Sequence, residues 1–258
     1  MDSVSLLGSA FWLGVGAVFT FLVPIVLLVV LLVRRMVSSK ALALGFAAFG
    51  ISQLVLRIPL LSVLSLWQPY VDWATAHMWL QLLLVGGLSA GLFEETARLG
   101  GACLLNRKGF TYKDVISFGL GHGLCEVILL VGLSQISSMA TTLAIAFAPE
   151  MMQQALGAQF DLVISQLAAV SPLTILLSLV ERLGAVSLHV FNTVLVFRAV
   201  RQRQPLFYLA ALAVHTAGNF LVVAVNLTVG AVPAEGLMLL IGAACLAGTL
   251  AGRKAFAQ

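Results

Sequence analysis

The chain has 258 residues, 61% of them hydrophobic and 9% charged, with a formal net charge of +4. Soluble domains carry about 25% charged residues, so this composition excludes an ordinary soluble fold. Its basic residues sit in short clusters between apolar runs, where they set membrane orientation rather than bind nucleic acid. What remains is an all-α, polytopic bundle of transmembrane helices filling 1–258 as one domain, multi-pass in a plasma membrane of bacterial type.

Seven spans are predicted in chain order: Leu6–Val33, Ala41–Leu66, Met78–Leu105, Val115–Ser137, Ala168–Val196, Leu206–Val229 and Leu237–Leu250. The N-terminus has no basic run before its apolar stretch and reads as the start of the first span. Arg57 and Pro59 are expected to kink or break the second span. Ser138–Gln166 is mixed in character and is expected to form one or two short surface helices. Trp67, Tyr70, Trp73 and Trp79 read as an interfacial aromatic belt. Lysine and arginine follow the first, third, fifth and seventh spans, whereas the other loops hold only Asp72, Glu150, Asp161 and Glu235. The positive-inside rule then puts the N-terminus out and the C-terminus in. Cys103, Cys125 and Cys245 lie in apolar segments without Cys-x-x-Cys spacing, so no disulfide framework or thiolate metal site is expected.

Four spans carry ionisable groups at membrane depth, where such groups are costly and mark function by default. The third has Glu94, Glu95 and Arg98; the fourth has His122 and Glu126. The fifth has Glu181, Arg182 and His189, with Asn192 a turn later; the sixth has His215 and Asn219. Arg98 is placed to pair with one carboxylate, the one not used in catalysis, because Glu94 and Glu95 point about 100° apart on a helix. Glu95, His122, His189 and His215 each lie 9–12 residues from a basic cytoplasmic marker. At ~1.5 Å per residue that puts all four in one layer, between the bilayer middle and the cytoplasmic side. Glycines 119, 121 and 123 flank His122 and permit close approach, either of another helix or of substrate backbone.

Glu94-Glu95-x-x-Arg98, Phe118-x-x-x-His122 and His215-x-x-x-Asn219 together resemble the CAAX-protease and bacteriocin-processing superfamily of intramembrane proteases. The family's first motif is one residue longer, Glu-Glu-x-x-x-Arg. The Gly-His122-Gly-x-x-Glu126 run and Glu181-Arg182…His189 are more similar to its bacterial YhfC branch; PrsW proteases and the Aph subunit of γ-secretase are related. The resemblance covers the third to sixth spans, about 78–229, where it implies the active-site core. It implies an endopeptidase acting on a membrane-associated protein or peptide within the lipid bilayer. On it, Glu94 activates water with His122 helping to hold the water, while His215 and Asn219 stabilise the oxyanion. Glu95 completes the catalytic set, and Arg98, Glu126, Glu181, Arg182 and His189 are auxiliary.

Two chemistries suit these residues. A His₂Glu zinc site could form from His122, His215 and Glu94, with His189 able to replace any of them. A metal-independent glutamate mechanism, with no cofactor, is favoured at this stage because Asn219 is a poor zinc ligand and an oxyanion role accounts for it. Competing readings from other classes are an ion- or proton-coupled transporter, which also uses intramembrane Glu, His and Arg, and a catalytically silent Aph-like scaffold.

Overall fold

The computed structural model describes residues 3–256, and among these every regular element is helical. Six helices are long and apolar enough to cross a bilayer: Ser5–Val33, Ser39–Leu64, Tyr112–Phe147, Pro172–Gln202, Leu206–Thr228 and Ala231–Phe256. Met78–Asn106 and the shorter Gln68–Ala76, which meet at a bend of 108°, are apolar enough only together and bring the number to seven when the bent pair is counted as one span. In chain order Met78–Asn106 is the third span. A chain with no water to bond its backbone must satisfy every N–H and C=O within its own helices. Large side chains such as Phe19, Val29, Leu60, Leu206 and Leu240 are accordingly exposed along these helices, as lipid-facing residues are.

Several boundaries differ from expectation. Pro59 does not break the second span. The helix widens to a π-helical segment over Gly50–Arg57 and resumes as α-helix at Ile58–Leu64, with Pro59 in its first turn. The fourth span continues past Ser137 to Phe147, where the Thr142 hydroxyl donates to the Ser138 carbonyl of its own helix. Glu235 lies within the helix Ala231–Gly252 rather than in a loop.

Contacts divide the chain into two compact units, Val127–Val180 with the residues up to Val30, and Leu31–Glu126 with the residues from Glu181 onward. In the first unit, Ser3–Ala17 packs along Leu133–Phe147, and Leu6, Leu13, Ile145, Leu167 and Ile175 form its core. The buried Thr20 hydroxyl lies 2.8 Å from the Gly16 carbonyl and 3.0 Å from Gln135 Oε1. Two short helices, Pro149–Leu156 and Phe160–Ala168, occupy the stretch expected to hold them. Gly157 stands between them at φ +53, a conformation that side chains resist.

The second unit is built on a core of Ala41, Phe118, Val194, Phe197, Ala211 and their neighbours. The second span touches the fourth almost backbone to backbone: a Cβ on Gly45 would collide with the Phe118 carbonyl, and one on Gly121 with the Leu42 carbonyl. On the fourth span's other side, Gly119 and Gly123 admit Val190 and Val186 of the fifth. Of the two roles open to the glycines around His122, the structure gives them helix packing. Along Gln68–Ala76, Trp73 stacks on His77 at 6.0 Å, with Tyr70 6.2 Å from Trp73. A short aromatic helix set across the direction of its neighbour suits a bilayer interface.

Candidate active site

Every ionisable residue singled out in the third to sixth spans falls in the second unit. The close glycine contacts bring the fourth span against the second and the fifth, and Gly101 of the third would clash with the Phe118 ring if it had a Cβ. With the backbones this near, side chains from five spans reach one buried cluster. Glu94, Glu95, Arg98, His122, His189, Asn192 and His215 are all buried. The rings of His122 and His189 are 5.2 Å apart, and those of His189 and His215 are 5.7 Å apart. The common depth inferred from chain spacing is therefore a common place.

Glu94 is at the centre. Its Oε1 accepts from Gln53 Nε2 at 2.8 Å and lies 3.7 Å from His215 Nε2. Its Oε2 lies 2.9 Å from His122 Nε2, 3.4 Å from Arg98 Nη2 and 3.6 Å from His189 Nδ1. Glu95 Oε1 accepts from Arg98 Nη1, from His215 Nδ1 at 2.7 Å and from Asn192 Nδ2 at 3.2 Å. Glu95 Oε2 is buried and makes no hydrogen bond among the described residues.

Arg98 thus serves both carboxylates, contrary to the expectation that it could serve only one. Glu95 is its i,i+3 neighbour and Glu94 its i,i+4 neighbour, and both lie within reach of one forked guanidinium. Its bond to Glu95 is the closer.

The histidine tautomers follow from their partners. Arginine only donates, so His189 Nδ1 accepts from Arg98 Nη2 at 2.6 Å, and His189 Nε2–H donates to Glu126 Oε2 at 2.5 Å. Glu126 Oε1 in turn accepts from Arg182 Nη1 at 2.6 Å, and Arg182 Nη2 donates to Glu181 Oε1 at 2.5 Å. A carboxylate only accepts, so His215 Nδ1 carries the proton facing Glu95, and in the neutral ring Nε2 has none to give.

Two expectations shift. His189 is not at the margin of the cluster but within it. Ligand atoms of Glu94, His122 and His189 all lie within 4.8 Å of one another, the form of the expected trio in which His189 replaces His215. The reason is that His215 is turned onto Glu95, leaving its Nε2 beside Oε1, the Glu94 oxygen that does not face His122. Asn219 is half-buried and makes no side-chain hydrogen bond among the described residues. Two amides were missed. Asn192 was noticed but not assigned to the site, and Gln53 was not noticed. An amide in an apolar helix one turn before an arginine, as in Gln53-x-x-x-Arg57, was the available signal.

The model of the YhfC intramembrane metalloprotease family matches residues 19–241. The chain belongs to this family. It is also similar to a protein of Bacillus subtilis (strain 168) called uncharacterized membrane protein YhfC, 27% identical over 220 residues, with 81% of each chain covered. No solved structure matches. The YhfC family is thus one of membrane proteases, and its description as metallo- bears directly on the donor set.

The residues of this YhfC chain fit a metal. Two imidazole nitrogens and a carboxylate oxygen converge in a buried place, the His₂Glu composition of catalytic zinc sites. The second nitrogen of His189 is held by Glu126, the outer carboxylate that orients and strengthens a metal-binding imidazole, while its Nδ1 accepts from Arg98 Nη2, a bond that a metal ion on Nδ1 would displace. Around the centre, Glu94 and Glu95 bring two negative charges and Arg98 one positive, so a cation is favoured where water is scarce. An open apolar groove of about 480 Å³, lined by Ile51, Ser52, Leu56, Leu92, Phe93 and Thr96, adjoins Gln53 and Glu94 along the chain.

Proposed function

We propose that the chain is an intramembrane metallopeptidase that hydrolyses a peptide bond of a membrane-associated substrate at the Glu94, His122 and His189 cluster. One observation carries the reading: the mutual approach within 4.8 Å of donors from three different helices, all buried. Glu94, His122 and His189 would hold a divalent metal, which would supply Lewis-acid activation of water and of the scissile carbonyl. The chain's own groups do the rest. Glu126 holds the His189 ring in place through Nε2–H. Glu95 takes the proton of the attacking water on Oε2, since its other oxygen is occupied by three donors. His215 and Arg98 fix that carboxylate, so the base does not swing away when it is protonated. Asn219, one turn beyond His215 and with no bond of its own among the described residues, is the amide available to donate to the developing oxyanion. We place the entry of an extended apolar peptide from the lipid at the groove whose lining residues neighbour Gln53 and Glu94 in the chain.

A metal-independent glutamate mechanism is the second reading, and the His122 contact to Glu94 at 2.9 Å is what favours it. It also accounts for Asn219, a poor zinc ligand, through the oxyanion role. The two readings part on chelation. We expect purified full-length protein to contain about one zinc equivalent by elemental analysis and to lose cleavage of a membrane-peptide library when the metal is stripped. Asn219→Ala should keep the metal and lose roughly 10²–10³-fold in turnover, the usual loss for one oxyanion donor. Cleavage that survives complete removal of metal sinks the first reading and leaves the second. Absence of cleavage with proton-driven uptake would return the chain to the transporters, and absence of both to the scaffolds.

The orientation, N-terminus out and C-terminus in, belongs to the same proposal. Single cysteines placed at 67–77 should react with an impermeant thiol reagent on intact cells, and those at 106–112 or 199–204 should be protected. The reverse pattern overturns it.

A further inference from the structure

We infer that Gln53 and Arg57 of the second span are positioning residues of the active site: they tie back one oxygen of Glu94 so that only the other faces the metal-binding side. The inference rests on the reading of Glu94, His122 and His189 as a metal site, and goes beyond it in naming what aims the carboxylate.

Arg57 is fixed at all three guanidinium nitrogens. Nε donates to Ser89 Oγ at 3.0 Å, Nη2 to the Val85 carbonyl at 2.7 Å and Nη1 to Gln53 Oε1 at 3.1 Å. Ser89 Oγ itself donates to the Val85 carbonyl at 2.7 Å, so the anchor on the third span is firm. Because arginine only donates, Gln53 must present its oxygen to Arg57 and its NH₂ to Glu94. That NH₂ meets Glu94 Oε1 at 2.8 Å. The relay Arg57, Gln53, Glu94 therefore runs in one direction and has no flipped alternative. Gln53 is buried, 3% exposed. A buried amide in an apolar helix is costly unless bonded.

The consequence concerns how Glu94 binds. A free carboxylate can offer a metal one oxygen or both, and rotates about its last torsion with little resistance. With Oε1 held by Gln53, the torsion is set, and Oε2 is left beside His122 and His189. Both relay residues lie in the widened segment Gly50–Arg57. Such segments often accompany functional sites.

The test is zinc binding, measured as a dissociation constant by competition with a chromophoric chelator on full-length protein in detergent. Gln53→Leu should weaken zinc binding by about 10–100-fold, the usual effect of removing an outer-shell partner. Arg57→Met should weaken it in the same direction, and Arg57→Lys should restore part of the loss. Ser62→Ala serves as the control for simple perturbation of the second span, since the Ser62 side chain donates to the Ile58 carbonyl of its own helix and takes no part in the groove; it should bind zinc as the parent does. Parental zinc affinity in a folded Gln53→Leu protein, with zinc lost from His122→Ala, overturns the inference and spares the metal site. Parental affinity in His122→Ala removes the metal site and the inference with it. Should Gln53→Leu fail to fold, Arg57→Met and Arg57→Lys decide by the same criterion.

Discussion

Glu94→Gln is expected to lose bound zinc and cleavage together, while Glu95→Gln keeps the zinc and loses turnover by about 10²–10⁴-fold, the contribution of a positioned general base. The two carboxylates are neighbours in sequence, yet the structure gives them different surroundings. Glu94 faces imidazole nitrogens with Oε2 and an amide with Oε1. An amide in its place offers the metal a neutral, weaker oxygen and turns a donor towards His122 or Gln53. Glu95 meets three donors with one oxygen and nothing with the other among the described residues. A glutamine there keeps its carbonyl on those three donors and puts NH₂ where no bond existed, so the fold is conserved and only the capacity to take a proton is lost. Elemental analysis and mass spectrometry of products on the same preparations check both variants. Full cleavage in a folded Glu95→Gln protein would move the base to another group, and zinc retained in Glu94→Gln would remove Glu94 from the ligands.

Arg98→Ala should cost more in stability than any other single change in the cluster, about 3–5 kcal/mol, the range for stranding a buried charge. Its guanidinium neutralises Glu95 and Glu94 and holds His189 Nδ1. Without it two carboxylates face each other in a place that is closed to solvent. Arg98→Lys should recover part of the loss through its charge, but not the fork that reaches both carboxylates and the imidazole at once. Thermal unfolding in detergent and the yield of monodisperse protein measure this. A Arg98→Ala protein as stable as the parent would mean that another group carries the neutralisation.

Much of this site was legible before any coordinates. Charges inside apolar runs are rare, so Glu94, Glu95, Arg98, His122, Glu126, Arg182, His189 and His215 stand out, and counting residues from basic loops puts their helices in register. What distance along a helix cannot give is rotation about it. That is why His189 rather than His215 joins Glu94 and His122 in the 4.8 Å trio. The 100° between Glu94 and Glu95 was weighed without the length of an arginine side chain, which spans it. Gln53 and Asn192 escaped because an uncharged amide is no anomaly in a membrane helix. Arg57 and Pro59 do stand at an irregular stretch of the second span, but nothing in their residue types says that the helix widens there and runs on.

The contact of Gly45 with the Phe118 carbonyl and of Gly121 with the Leu42 carbonyl has a mechanical consequence. Two rods joined along a stretch tilt together rather than splay. Membranes of different thickness impose different tilts on spanning helices. In this chain the second and fourth spans stay in contact from Ser38 against Ser117 to Phe49 against His122, so a change of tilt carries them as one piece. The proposed metal-binding layer rides on that piece, and its spacing should hold as acyl chains lengthen or shorten around it.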